Sequence, residues 1–262
     1  MRLTVLGCSG SGPGPESPAS GYLVAAGGTA VTLDLGNGTF GALQRHLDPW
    51  ALDAAILSHL HPDHCADVSP LCVWRRYHPR PPFDATKQRL QVLAPALAPD
   101  RLAWAYAASR QELEETDLTD VFEFRTIADG TVVTVGSVTV RSALVDHPVE
   151  AYALRLEHGG RSLVYSGDTG PSAGLVSLSQ GADVLLCEAT WPHVIPGAWD
   201  SPPPGVHLSG RQAGEHAAAA GVGRLLLTHV PSWFDGADLL AEAKEVFDGP
   251  VELVVPDGGY EV

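Results

Sequence analysis

The stretch His59-Leu60-His61-Pro62-Asp63-His64 places three histidines and one aspartate within six residues. It follows the apolar run Asp53–Ser58, which predicts a strand, so its side chains can converge on a pocket at the edge of a sheet. Imidazole and carboxylate groups are ligands that suit zinc and similar divalent ions. Four such groups are too many for one catalytic metal that keeps an open position. The stretch therefore predicts two adjacent metals; a surface histidine cluster and a single structural metal are the alternatives.

Segments with strand and helix patterns alternate along the chain around this stretch. His64–Tyr77 and Arg101–Leu113 have helical spacing, and the last predicted strand runs near Val251–Val255. Glu157–Gly160 predicts a tight turn, and Thr190–Gly205, rich in Pro and Trp, is the longest predicted loop. Strands accompanied by helices in both halves favour two sheets face to face, with the helices outside.

Composition and charge narrow the classes of function. The chain has 262 residues, 45% of them hydrophobic and 18% charged, which is ordinary for one large globular domain or two small ones. Its net charge is -15, and Arg75 and Arg76 are its only adjacent basic pair. This balance opposes non-specific binding of long nucleic acids, although bound metal cations can still attract a small anionic substrate.

The N-terminal segment Met1–Gly7 is short and strand-like, unlike a signal peptide. No apolar run approaches the length that a membrane span needs. We therefore expect a cytoplasmic protein without a membrane partner.

The chain resembles the metallo-β-lactamase superfamily, because His59, His61, Asp63 and His64 match its H-x-H-x-D-H signature. The likeness extends across nearly the whole chain. It implies an α/β fold, the four-layer αββα sandwich, with residues 1–262 forming a single domain made of two similar halves. It also implies a hydrolase and a homodimer.

The same resemblance extends the ligand set to residues that each follow an apolar strand. Alone, His147 and His229 would more often be ordinary strand-end histidines, and Asp168 a turn aspartate. Two divalent ions are implied, of which zinc is the first choice and manganese or iron the alternatives. The implied ligands are His59, His61 and His147 for one ion, Asp63, His64 and His229 for the other, and Asp168 between the two.

Within the superfamily the chain is most similar to the ribonuclease Z branch. Gly7–Gly12 resembles that branch's glycine-rich loop, Cys187-Glu188-Ala189-Thr190 its H-E-A-T element, and His207-Leu208-Ser209 its H-S-T loop. Narrower likenesses at Leu35–Gly38 and His147–Tyr152 are to actinobacterial members described as cyclic nucleotide phosphodiesterases. The loop glycines lack the G-x-G-x-x-G spacing of dinucleotide sites, so we expect them to let the backbone pass close to the metal pocket.

Three residues are candidate catalytic groups. Asp63 can accept the proton of the attacking water as well as bind metal. His207 can contact a phosphate oxygen or protonate the leaving oxygen, with Glu188 orienting it through a hydrogen bond. Alternatively, His207 caps the helix that begins near Gly210, where Ser209 is the expected N-cap. Three tryptophans beside the presumed pocket loops can stack a base or simply pack: Trp191, Trp199 and Trp233.

These residues favour a binuclear phosphodiesterase acting on a small substrate such as 3′,5′-cyclic AMP. Transfer-RNA-processing members of the branch carry a protruding arm, whereas Leu156–Ser162 is only a hairpin turn here. A transfer RNA 3′-endonuclease and a thioester or lactam hydrolase are the alternatives, and the missing export signal disfavours a lactamase. A metal-bound sensor without turnover is disfavoured because all seven ligand positions hold ligand-type residues.

Overall fold

The structure is a computed structural model that describes residues 1–262. Its fourteen strands form two seven-stranded sheets, ordered β14-β1-β2-β3-β4-β5-β6 and β13-β12-β11-β10-β9-β8-β7. The strands are β1 Arg2–Gly7, β2 Gly21–Ala26, β3 Thr29–Leu35, β4 Ala54–Ile56, β5 Leu90–Ala94, β6 Phe122–Thr126, β7 Val132–Val135, β8 Val138–Leu144, β9 Tyr152–His158, β10 Arg161–Tyr165, β11 Val184–Glu188, β12 Leu225–Thr228, β13 Val251–Leu253 and β14 Gly259–Glu261.

Eight α-helices and two 3-10 turns connect these strands. The turns span Pro49–Ala51 and Leu118–Asp120. The helices are α1 Thr39–His46, α2 Pro62–Cys65, α3 Val68–Tyr77, α4 Ala98–Tyr106, α5 Arg110–Glu115, α6 Ala173–Ser179, α7 Gly210–Ala220 and α8 Gly236–Lys244. None of them is long and apolar enough to cross a membrane.

Three hydrophobic clusters give the fold its four layers. The middle cluster lies between the sheets, where the Tyr22 and Tyr165 rings approach to 5.1 Å between centroids. A second cluster packs α1, α3 and α4 against the first sheet, and a third packs α6, α7 and α8 against the second. Because both faces of the central strands are covered, β3 and β11 are buried along their whole lengths. The predicted αββα sandwich is confirmed.

The predicted helix over 64–77 is in fact two helices, α2 and α3. The break lies at Asp67, whose backbone N–H donates to Leu35 O at 2.9 Å. The Asp67 carboxylate in turn accepts from Phe40 N at 2.8 Å. These contacts fix the chain to the end of β3 and the start of α1, and they prevent a continuous helix.

Two other differences between the predicted and the observed elements have identifiable physical causes. The predicted helix over 101–113 divides because Ser109 starts α5 as its N-cap, accepting from Glu112 N. The strand β14 was not predicted; it has three residues, too few for a pattern, and it forms by pairing with β1. The single domain of two similar halves stays a prediction.

The assignment of the middle cluster can be tested at Leu156, which is fully buried. Leu156→Ala should lower the free energy of unfolding by about 2–5 kcal/mol, because it removes apolar contacts and leaves a cavity. Leu144→Ala is the matched control on β8, where the side chain is 50% exposed, and should change that free energy by less than about 0.5 kcal/mol. Denaturant unfolding measures both. Equal losses in the two variants would contradict the assignment.

Candidate metal centre

Three candidate ligands follow strands of the second sheet: His147 after β8, Asp168 after β10 and His229 after β12. The strands β10, β11 and β12 are parallel, and β8 points the same way because it is antiparallel to β9, which is antiparallel to β10. Their carboxyl ends therefore meet at one edge of the sheet, and the three ligands meet there with them.

The histidine-rich stretch enters the same edge from the first sheet. His59 and His61 lie in the chain after β4, and Asp63 and His64 lie on α2. Pro62 is in the first turn of α2, where its fixed backbone angle favours the start of a helix. This abrupt change from extended chain to helix lets four side chains of six residues face one pocket.

The first ligand group consists of His59, His61, His147 and Asp168. His61 Nδ1 lies 3.0 Å from His59 Nε2 and 3.2 Å from His147 Nε2. Asp168 Oδ2 lies 3.7 Å from His59 Nε2. Three nitrogens and one oxygen thus surround a single point.

The second ligand group consists of Asp63, His64, His229 and, again, Asp168. Asp168 Oδ1 lies 3.2 Å from His64 Nε2 and 3.4 Å from His229 Nε2. Asp63 Oδ2 lies 3.4 Å from His229 Nε2 and 3.5 Å from His64 Nε2. Asp168 therefore turns one oxygen towards each group, and all seven sequence-predicted ligands come together.

In four of the histidines, Nδ1 is the ring nitrogen that faces away from the pocket. Each of these Nδ1 atoms lies next to a hydrogen-bond acceptor, which fixes the tautomer of the ring. Their Nδ1–H groups donate away from the pocket, so in the neutral form of each imidazole the lone pair on Nε2 points inwards. The pairs are His59 Nδ1 with Ser58 Oγ at 3.0 Å, His64 Nδ1 with Asp34 Oδ2 at 2.7 Å, His147 Nδ1 with Val206 O at 2.9 Å, and His229 Nδ1 with Thr190 Oγ1 at 2.9 Å.

These contacts make the donor set fit divalent cations. Imidazole nitrogens lie only 3.0–3.2 Å apart across the pocket, a spacing at which they can act together as ligands of one cation. Asp168 Oδ1 is also buried without a hydrogen-bond partner, which is costly for a carboxylate that has no cation nearby. Imidazole nitrogen and carboxylate oxygen are the ligands of hydrolytic metal sites.

Asp34 belongs to the site, although we did not predict it. Its buried carboxylate accepts from Ser58 N, Ser58 Oγ, His64 Nδ1 and Tyr165 OH, all between 2.7 and 2.8 Å. The available signal was a charged residue inside the apolar strand β3, where an aspartate needs several hydrogen-bond donors. Asp34 orients His64 from behind.

The histidines of the two ligand groups differ in the direction in which their pKa values are shifted. Burial lowers the pKa of His59, His61 and His147, so these three imidazoles are neutral and have lone pairs available for a cation. Burial also acts to lower the pKa of His64, but the Asp168 and Asp34 carboxylates raise it well above its usual value. Because a ligand must be deprotonated, binding of a cation by the second group would require His64 to lose its proton.

His207 and Glu188 form a pair beside the ligands. His207 Nδ1 lies 3.1 Å from Glu188 Oε1 and 3.9 Å from Asp168 Oδ2. Burial opposes the charged imidazole, yet the neighbouring Glu188 carboxylate raises the pKa of His207 to about 9. The N-cap of α7 is Ser209, which forms a capping box with Gln212, so His207 does not cap that helix.

Glu188 is itself held rigidly. Its carboxylate is fully buried and accepts from Thr169 N at 2.5 Å, Thr190 Oγ1 at 2.6 Å and Leu208 N at 3.2 Å. Thr190 Oγ1 also receives the His229 N–H, so Glu188 supports a candidate metal ligand as well as His207.

The glycine-rich loop passes close to the ligands, as expected. A Cβ atom on Gly10 would lie 2.2 Å from His229 O and 3.0 Å from His229 Nδ1, so no larger residue fits there without movement. His229 itself has a backbone φ of 60°, which is unusual for a residue other than glycine. The close loop and the buried hydrogen bonds of its imidazole keep it in this conformation.

Known proteins share this fold and much of this sequence. The family model of the beta-lactamase superfamily domain matches residues 29–230. An uncharacterized protein of Mycobacterium tuberculosis is 48% identical over 266 residues, covering 100% of this chain and 92% of the relative. A ribonuclease Z of Mycolicibacterium paratuberculosis is 32% identical over 272 residues, covering 97% and 95%.

A third relative has a solved structure. The probable metallo-hydrolase YhfI of Bacillus subtilis is 29% identical over 263 residues, covering 97% of this chain and 96% of the relative. Its crystal structure matches this fold with a TM-score of 0.82 over 99% of each chain, at 27% identity. The chain therefore belongs to the beta-lactamase superfamily, as a hydrolase of the metallo-β-lactamase fold whose histidines and aspartates are positioned to bind metal.

Proposed function

We propose that this protein hydrolyses a phosphodiester bond with two divalent ions, zinc being the first choice, and that its substrate is a small cyclic nucleotide such as 3′,5′-cyclic AMP. The observation that carries the proposal is the sharing of Asp168 between two complete ligand groups. A site of this kind suits a displacement at phosphorus, in which both the attacking and the leaving oxygen need stabilisation.

Three residues of the chain have proposed roles in proton transfer during the reaction. Bound divalent ions would lower the pKa of a coordinated water and offset the negative charge of the phosphate. Asp63, whose side chain is partly open to solvent, accepts the proton of the attacking water. His207 donates a proton to the leaving oxygen, and Glu188 keeps it charged and oriented.

Surface charge supports a small substrate over a long one. Nine of the sixteen Lys and Arg residues already pair with carboxylates of the chain: Arg2, Arg45, Arg76, Lys87, Arg141, Arg155, Arg161, Arg211 and Arg224. Binding a long polyanion normally needs many free cationic contacts. The β9–β10 connection supports the same view, because it is a two-residue turn at Gly159 and Gly160 with no arm.

Transfer RNA 3′-processing is the second candidate. The observation that favours it is the likeness to a ribonuclease Z, at 32% identity across 95% of that relative. A homodimer, also proposed, would place two sites in one particle and add surface for a larger substrate. The ratio of kcat/KM for cyclic AMP to kcat/KM for a precursor transfer RNA separates the two functions.

The protein purified without chelator should contain close to two divalent ions per chain, because seven ligands exceed the needs of one four-coordinate ion. Elemental analysis measures this ratio. His46→Ala, which changes an imidazole that contacts Asp257 instead of the ligand cluster, should leave the ratio unchanged. A ratio of one ion per chain that persists after metal supplementation would contradict the two-ion site.

The two candidate catalytic residues should respond differently to substitution. Asp63→Ala should abolish turnover, because it removes both a ligand and the acceptor of the water's proton. His207→Ala should lower kcat by roughly 10²–10⁴-fold, the usual effect of losing an acid–base group, and should retain its metal. Steady-state kinetics with elemental analysis measures both effects, with His46→Ala as control. Unchanged kcat in His207→Ala would remove its proposed role.

Substrate preference should favour the small diester. We expect kcat/KM for 3′,5′-cyclic AMP to exceed that for a precursor transfer RNA at the same metal and salt concentrations, because the chain is strongly acidic and nine of its sixteen basic residues already pair with carboxylates. Product analysis by chromatography and gel electrophoresis measures the two rates. Efficient cleavage of the RNA past its acceptor stem, with cyclic AMP untouched, would make the second candidate the function.

A further inference from the structure

A row of aromatic rings leads away from the candidate ligands on the side of His207. The His207 ring lies 5.6 Å from that of His147 and 5.4 Å from that of His229, measured between centroids. On its other side, Trp191 packs edge-on against His207 at 5.1 Å, and Trp199 lies 5.4 Å from Trp191. His207 thus stands between the ligand cluster and a pair of tryptophans.

The loop that carries these tryptophans is anchored at its base. It connects β11 to α7, and Thr190 N donates to Leu208 O at 2.9 Å. Trp191 forms a bridge with Ser209, and Ile195 forms one with Trp199. Backbone pairing therefore fixes the base of this loop next to His207, whereas most of the segment beyond Trp191 is irregular.

The two tryptophans are only partly buried, so parts of their rings remain open to solvent. Their indole N–H groups, however, are sheltered from solvent and have no hydrogen-bond partner. An unpaired buried N–H is costly, so this packing of the loop is less stable than one that pairs the two donors. A ligand with nitrogen or oxygen acceptors can supply the missing partners if the loop shifts to admit it.

We propose that Trp191 and Trp199 form a subsite for the nucleobase of the substrate, which makes them specificity-determining residues. This inference rests on the proposed phosphodiesterase function. His207 is the group assigned to the leaving oxygen, so the leaving side of the substrate lies towards Trp191. A nucleobase has flat apolar faces, which stack on indole rings, and it has ring nitrogens, which accept hydrogen bonds. It can therefore stack on the two indoles and accept hydrogen bonds from their N–H groups.

The loop has almost no charged residues, which favours an uncharged nucleobase as the ligand of the subsite. Between Trp191 and Gly205 the only formally charged residue is Asp200, and no lysine or arginine is present. The loop itself therefore offers no lysine or arginine to a second phosphate group. The subsite therefore suits an uncharged ring attached to a single phosphodiester.

Binding of two phosphate monoesters to the metal-loaded protein tests the subsite. Adenosine 5′-monophosphate carries the base, whereas ribose 5-phosphate has the same phosphate and sugar without it. Trp191→Leu and Trp199→Leu should each weaken the Kd for the nucleotide by roughly 5- to 150-fold, the range of lost base–aromatic stacking. Their Kd for ribose 5-phosphate should change by less than about twofold, because the phosphate site is untouched. Isothermal titration calorimetry measures both constants.

Two further variants control this experiment. Trp104→Leu removes a tryptophan that is 68% exposed on α4, away from His207, and should bind both ligands as the wild type does. Trp191→Phe keeps an aromatic face, so it should recover most of the nucleotide affinity even if Trp191→Leu is poorly folded.

The outcomes separate this inference from the proposed function. Equal losses for the two ligands, or nucleotide affinity unaffected in both leucine variants, would overturn the subsite while cyclic AMP hydrolysis persists. If the wild type hydrolyses no cyclic nucleotide and binds adenosine 5′-monophosphate no better than ribose 5-phosphate, the proposed function and the subsite both fail. A loss confined to the nucleotide supports the subsite.

Discussion

The candidate metal centre depends on the hydrogen bonds that the buried carboxylate of Asp34 accepts. An unpaired carboxylate between two sheets would be strongly destabilising, but this one receives four hydrogen bonds from three residues. Ser58 N–H and O–H fix the chain just before the first ligand, and the His64 N–H fixes a ligand directly. Tyr165 reaches Asp34 from the second sheet, so the same anion also fixes the position of one sheet relative to the other at the site.

A second chain of hydrogen bonds repeats this arrangement on the other side of the pocket. His59 donates to Ser58, which donates to Asp34; His229 donates to Thr190, which donates to Glu188. In each case a hydroxyl links an imidazole to a buried carboxylate, which fixes the tautomer and makes the inward nitrogen a better donor. Glu188 also holds His207, so the carboxylate that orients a ligand orients the proposed proton donor too.

The sequence predicted well the ligands that lie close together in the chain. It predicted poorly the features that depend on contacts between residues far apart in the chain. The ligands of His59–His64 are neighbours in the chain, so their convergence was predictable, and the likeness to a family extended this to the distant His147 and His229. Asp34 was missed because its role depends on Tyr165, more than a hundred residues away. The break near Asp67 was missed for the same reason, because the hydrogen-bond partners of Asp67 lie on β3 and α1. The apolar spacing of the sequence around Asp67 stays helical and gives no sign of these contacts.

With ions bound, the charge of the pocket would allow a strongly acidic protein to attract the proposed anionic substrate. The seven candidate ligands comprise five imidazoles and two carboxylates, so with neutral histidines they carry a charge of -2. Two divalent ions would bring +4, which leaves +2 on the ions and ligands together; the nearby Asp34 and Glu188 carboxylates and the rest of a chain of net charge -15 surround them. A small phosphodiester meets mainly the local field, whereas a long nucleic acid extends over the acidic surface as well. The neutral histidines would therefore matter as much as the ions: more carboxylate ligands would cancel the positive charge that the proposed phosphodiester substrate requires.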